Sequence, residues 1–166
     1  MMKKEMISMA VSLLALLMIT ACATPEERAA RAAEQKRKVE AALAQRNYKI
    51  GVDHMYPMKG PSRNVSYGYS VEVRNDSLIS YLPYIGGVYR VPYGGGMGLN
   101  FEERIGSYRE TQVKNKRRIE IEVKNIEDTY LYSLEIFDNG SSSIDVQALQ
   151  RDRISFSGKM KFDIEK

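Results

Sequence analysis

From Tyr48 to the end of the chain the apolar residues keep a period of two. Successive side chains of a strand point to opposite sides, so this pattern describes strands with one buried face. Tyr48, Ile50, Val52, His54 and Tyr56 form the first set, against Lys49, Gly51, Asp53 and Met55. Val65, Tyr67, Tyr69, Val71 and Val73 form the second, and Leu78 to Leu82 returns after a turn at Asn75-Asp76. Phe101 to Val113 reads as one long strand with an irregularity near Gly106. Ile119, Ile121 and Val123 alternate with Arg118, Glu120, Glu122 and Lys124, and Tyr130, Tyr132, Leu134 and Ile136 follow. Ile144 and Val146 come next, then Ile154, Phe156, Gly158, Met160, Phe162 and Ile164. Between Ile136 and Ile144, Asp138-Asn139-Gly140 predicts a tight type I′ hairpin, because Asn and Gly accept positive φ. Met58 to Arg63 and Gln147 to Asp152 read as loops. With about eight strands, hairpin-length connections and no helical period among them, the fold class is all-β and antiparallel. A closed barrel and a sandwich both supply one buried face per strand.

One helix precedes the strands. Thr24 caps it, Pro25 suits its first position, and Glu26 and Glu27 face its positive end. The segment to about Gln45 consists mainly of Ala, Glu, Arg, Lys and Gln, good helix formers that bury little. Arg28 to Lys38 reads as a solvated stalk and Val39 to Leu43 as the part that touches the domain. Twenty-odd helical residues span roughly 30 Å. The basic residues of the stalk serve solubility or attract anionic head groups.

The N-terminus is a different kind of segment. Lys3 and Lys4 precede an apolar run from Met6 to Met18, closed by Ile19-Thr20-Ala21-Cys22. That layout is a secretory signal peptide, too short and wrongly flanked for a spanning helix. Its end resembles the lipobox of bacterial lipoproteins: an aliphatic residue, two small ones and cysteine. The resemblance implies diacylglycerol on the Cys22 thiol, cleavage before it and acylation of the new amine. Each buried lipid methylene contributes about 0.8 kcal/mol, and stable anchoring takes more than one chain. Cys22 is the only cysteine, so no internal disulfide competes for it. The expected organisation is a lipoprotein signal peptide over 1–21, a lipid anchor and helical stalk over 22–47, and a β-barrel domain over 48–166. Ala23, where an aspartate would resemble an inner-membrane retention signal, points to the outer membrane. Which face of that membrane stays open, although Glu26-Glu27 resembles the acidic surface-export signal of Bacteroidetes lipoproteins.

Three stretches of the domain resemble one family. They are Tyr81-Leu82-Pro83-Tyr84-Ile85-Gly86-Gly87, Tyr93-Gly94-Gly95-Gly96-Met97-Gly98-Leu99-Asn100-Phe101 and Asp152-Arg153-Ile154-Ser155-Phe156-Ser157-Gly158. They are similar to the domain of unknown function 4251, whose members are mostly predicted lipoproteins and secreted proteins of Bacteroidetes. The likeness runs from about Leu43 to Phe162. It implies a small lipocalin-like β-barrel and carries no catalytic residues to transfer.

Candidate sites are few. Gly94-Gly95-Gly96 lacks the Lys-Ser/Thr and helix start of a phosphate loop, and reads as a sharp bend or close approach. Tyr81, Tyr84, Tyr89 and Tyr93 crowd the connection before Phe101. They either pack across the barrel mouth or line an apolar or sugar-binding cleft, since tyrosine offers a flat face and a hydroxyl. His54, the only histidine, reads as a hydrogen-bonded core residue and has no second His to complete a metal set. Glu102 and Glu103, adjacent on a strand, point to opposite faces and cannot pair as acid and base. No nucleophile elbow or triad appears. A net charge of +4, spread along the chain, makes no nucleic-acid patch. The expected function is therefore a non-catalytic binding or structural role in the cell envelope, with no cofactor and no metal. An envelope protein or a hydrophobic small molecule would be its partner. The alternative is a carrier holding a hydrophobic small molecule inside the barrel, and an enzyme comes third.

Overall fold

The computed structural model describes residues 24–66, 68–89 and 98–162. The signal peptide, Cys22, Tyr93, Gly94 to Gly96 and Ile164 lie outside them. The chain divides into two compact units, one ending at Glu34 and one from Gln35 to Lys166. Helix α1 is Pro25–Ala44. Thr24 Oγ1 accepts a hydrogen bond from the Glu27 amide at 3.2 Å, which satisfies one of the orphan donors of the first turn. Among the described residues no helix is long and apolar enough to cross a membrane.

Nine strands follow: β1 (Asn47–Pro57), β2 (Arg63–Asn64), β3 (Ser70–Arg74), β4 (Ser77–Leu82), β5 (Leu99–Val113), β6 (Lys116–Lys124), β7 (Thr129–Phe137), β8 (Ser141–Ala148) and β9 (Ile154–Lys161). Every pairing is antiparallel. Apart from the short β2, which lies against β1, each strand pairs with the next in sequence, and β9 returns to β1. The expected eight-stranded barrel is thus closed, which leaves none of those eight strands as a full-length edge.

Its described core residues are closely packed: Tyr48, Tyr132, Phe156, Ile50, Leu78, Leu82, Ile119, Ile121 and Leu134 have at most 1% of their surface exposed. Tyr132 crosses the core and donates to Ser80 Oγ at 2.9 Å, and Ser80 donates to the Leu99 carbonyl at 2.7 Å. Burial pushes the Tyr132 phenol well above its ordinary pKa.

One end of the barrel is closed by the second half of α1, where Val39 and Leu43 join the core. Lys36 pairs with Asp138 at 3.3 Å, and Glu40 with Arg117 at 3.6 Å. The Arg46 guanidinium lies 4.3 Å from the ring centroid of Tyr108, whose hydroxyl meets that of Tyr48 at 3.2 Å.

Three local expectations change. A bulge between Val52 and His54 inserts one residue into β1, so Met55 turns inward while His54 and Tyr56 leave the apolar face. His54 sits outside, its Nδ1 2.7 Å from Asn64 Oδ1 and its ring 4.8 Å from Tyr56. The alternation from Val65 is strand only from Ser70, and two of the residues before it bond to the bulge: Val65 N donates to Asp53 O, and Tyr69 O accepts from Val52 N. At Asp138-Asn139-Gly140 only Gly140 has positive φ, at 80°. The loop therefore has three residues with glycine at the left-handed position, and Gly140 N donates to Phe137 O at 2.8 Å. The expected irregularity near Gly106 is a register shift between Ile105 and Ser107.

Candidate functional site

The connections at the end away from α1 are longer and hold a buried network of charges. The turn between β6 and β7 is shaped by Asn125, whose Oδ1 accepts the amides of Glu127 at 2.8 Å and Asp128 at 2.9 Å. The Asp128 carboxylate accepts the amides of Thr129, Leu149 and Gln150 at 2.8, 3.0 and 3.1 Å. It thereby ties that turn to the connection between β8 and β9. Arg151, also buried, donates to Glu127 Oε2 at 2.6 Å and places its Nε 3.8 Å from Asp128. Its guanidinium faces the Tyr84 ring, 5.7 Å from the centroid.

Asp152 holds the first half of the β4–β5 connection to the same base. Its Oδ2 accepts the Gly87 amide at 2.9 Å, its Oδ1 accepts the Tyr89 hydroxyl, and its own amide donates to Gly87 O at 3.0 Å. The Tyr84 hydroxyl is shared between Gly87 O at 2.9 Å and Asp152 O at 3.1 Å. Val88 bridges to Arg151, and Tyr89 N donates to Gln150 O at 2.8 Å. The glycines follow from this close approach. A Cβ on Gly86 would stand 2.6 Å from the Tyr84 hydroxyl, and one on Gly87 3.0 Å from Asp152 Oδ2.

The electrostatics suit a brace. The Tyr89 hydroxyl and the Gly87 amide hold the Asp152 carboxyl below its usual range. The same hydrogen bond, with the carboxylate charge beside it, raises the Tyr89 phenol. Both groups keep their protonation states through neutral pH, the aspartate charged and the tyrosine neutral.

Of the four tyrosines singled out by sequence, Tyr84 and Tyr89 meet on Asp152. Tyr81 stands apart on the outside of β4, stacked on Tyr69 with ring centroids 5.1 Å apart. Tyr93 lies outside the described residues. Asn125, Glu127, Asp128 and Arg151 escape a sequence reading, because they lie in short polar connections that look like ordinary loops. Asp152 appears there only as the start of a quoted motif. No three His, Cys, Asp or Glu side chains among the described residues are placed to hold a metal.

The brace carries an apolar rim. Ten large apolar side chains are exposed among the described residues, and six of them, Met58, Ile85, Val88, Tyr89, Ile126 and Leu149, lie in the connections of this end. Ile126 is 97% exposed, Leu149 71%, Tyr89 70% and Met58 66%. A depression of about 190 Å³ beside Leu149 is lined by Glu122, Thr129, Leu131, Gln147 and Ala148.

Known proteins bear on the fold and not on the ligand. No curated protein matches the chain. A solved structure, the crystal structure of a DUF4251 family protein from Bacteroides eggerthii DSM 20697, has the same fold. It aligns with a TM-score of 0.61 at 14% identity, over 76% of this chain and 86% of that one. The model of the domain of unknown function DUF4251 matches residues 30–160, and the chain belongs to that family.

Proposed function

We propose that this is a lipid-anchored cell-envelope protein, held at the outer membrane through acylated Cys22, whose barrel has a non-catalytic binding role exercised at the braced end. The observation that carries this reading is the coincidence, at one end, of exposed apolar side chains and the buried network of Arg151, Glu127, Asp128 and Asp152. Side chains that stand out in water while their backbone is pinned are arranged for contact with something outside the molecule. The packing of Tyr48, Tyr132 and Phe156 in the core speaks against the alternative of a carrier with a ligand inside the barrel.

Two measurements test it in cells. Cys22→Ser should abolish labelling by radioactive palmitate and move the protein out of the membrane fraction. A photo-crosslinking residue at position 126 or 149 should capture a contact that the same residue on the far wall, at position 109, does not. Labelling that persists in Cys22→Ser refutes the anchor, and equal capture from both sides refutes the braced end as the contact surface.

A further inference from the structure

The side chains of this end also indicate what the contact is. The connections 58–69, 83–98, 125–128 and 149–153 contain three acidic residues, Glu127, Asp128 and Asp152. All three are turned inward, with side chains 6%, 1% and 2% exposed, onto Arg151, backbone amides and Tyr89. Of the described cations, Arg151 is buried with them and the others are not. Lys59 and Arg63 are exposed, as is Lys124 at the end of β6. Although Lys59 lies 3.9 Å from Asp152, its side chain stays 80% exposed. These connections therefore present apolar side chains and positive charge, while their own negative charge is withdrawn and the exposed Glu122 stands on the strand wall below them.

The apolar residues stand on separate connections. Met58, Ile85, Tyr89, Ile126 and Leu149 come from four different connections, and Ile126 protrudes almost completely. A folded protein partner needs shaped pockets for each such knob, whereas acyl chains accommodate separate knobs without any. Aliphatic tips with tyrosine beside them and lysine or arginine around them match the layered polarity of a bilayer surface. The cations match anionic head groups. The brace lowers the ordering cost, because the backbone at Leu149 and Tyr89 is already fixed by Asp128 and by the Gln150 carbonyl.

We infer that the braced end docks, reversibly, onto an anionic lipid surface, as a second membrane contact separate from the acyl anchor. This rests on the reading of that end as the contact surface. The test uses the non-acylated chain from Ala23 onward, which contains every described element, and sedimentation with sucrose-loaded vesicles. Vesicles of phosphatidylglycerol and phosphatidylcholine should retain the protein, and phosphatidylcholine alone should not. Ile126→Ser and Leu149→Ser should each weaken partitioning about tenfold, the expectation for losing one inserted aliphatic side chain. Lys59→Glu with Lys124→Glu, or raised salt, should weaken it at least as much. Both apolar positions are exposed, so unchanged melting temperatures would show that the variants fold. No retention on anionic vesicles at low salt overturns the inference, and so does equal retention of the serine variants or equal binding to phosphatidylcholine. If the vesicle test fails while crosslinking at position 126 captures a protein, the inference falls and the braced end stands as a contact surface. If both fail, both readings fall.

Discussion

Replacing Arg151 by methionine tests whether the charged base of the apolar rim is a structural necessity. Methionine keeps much of the volume and removes the charge. Glu127, whose carboxylate lies 2.6 Å from the Arg151 guanidinium, would lose that hydrogen-bonded pair while still buried. Breaking a buried pair in this way costs about 3–5 kcal/mol. The lower end of that range applies, for two reasons. Asp128 keeps three amide donors after the change, and the Arg151 Nε makes no hydrogen bond that could be lost. A domain of this size loses about 4 °C of melting temperature per kcal/mol, so Arg151→Met should melt about 12 °C lower. Glu127→Met added to Arg151→Met removes both charges, and the double variant should recover most of the loss, to within about 1 kcal/mol of the native protein. Urea unfolding of the native, single and double variants supplies the numbers. A single variant costing less than about 1 kcal/mol, or a double variant costing the sum of both singles, refutes the network.

Other expectations follow from the same structure. Tyr132→Phe should cost about 1 kcal/mol, since Ser80 keeps its bond to the Leu99 carbonyl, whereas Ser80→Ala should cost more by leaving the Tyr132 hydroxyl and that carbonyl unpaired in the core; equal losses on urea unfolding would contradict the chain of bonds. Gly140→Val should lower the melting temperature, because a β-branched residue is strained at φ 80° and its Cβ would stand 3.2 Å from Gln35 Nε2; an unchanged melting curve would count against the turn geometry. Because the folded-state pKa of Asp152 is depressed, its stabilisation is complete above the ordinary aspartate value of about 3.9 and is lost as pH falls through the folded value. The protection of the Gly87 amide, measured against its intrinsic exchange rate, should therefore fall in acid below about pH 4, and Asp152→Asn should abolish that pH dependence of the protection. Fast exchange already at pH 6 in the native protein would show that the bond to Asp152 does not hold the connection.

Period-two alternation was enough to read the barrel strands, because each has one face in a common core. It failed where the backbone, not the side chains, decides. The single extra residue in β1 reverses which side chains face inward, and nothing about Asp53 marks it. Val65 to Tyr69 alternate as a strand would, yet the Val65 amide and the Tyr69 carbonyl are bonded to Asp53 and Val52 at the bulge. The hairpin at 138–140 was placed correctly and typed wrongly, since Asn139 can occupy positive φ but the three-residue loop asks this only of Gly140. At the braced end the sequence marks the tyrosines and glycines because they cluster within 81–98. It does not mark their partners, because an aspartate bonded to an amide 65 positions away looks in sequence like any solvated aspartate.

The two ends of the barrel put different demands on their connections. At the helix end, β3 joins β4 through Asn75-Asp76 and β5 joins β6 through Lys114-Asn115, with positive φ at Asn75 and Lys114. Two-residue turns close a barrel without burying charge, and α1 covers the core there with Val39 and Leu43. Closure alone would allow the same economy at the other end. Instead the chain uses the longer connections 58–69 and 83–98 and takes Arg151, Glu127, Asp128 and Asp152 out of water, with Asp152 holding Gly87 and Tyr89 and Asp128 holding Leu149 and Gln150. Burying such groups offers little or no net stability over an apolar core. What it provides is position: Asp128 sets Leu149 against the turn that carries Ile126, and Asp152 sets Tyr89 beside them. A region built for stability alone would have tucked these three side chains away, and their exposure above buried charges is what supports the proposal that this end is the contact surface.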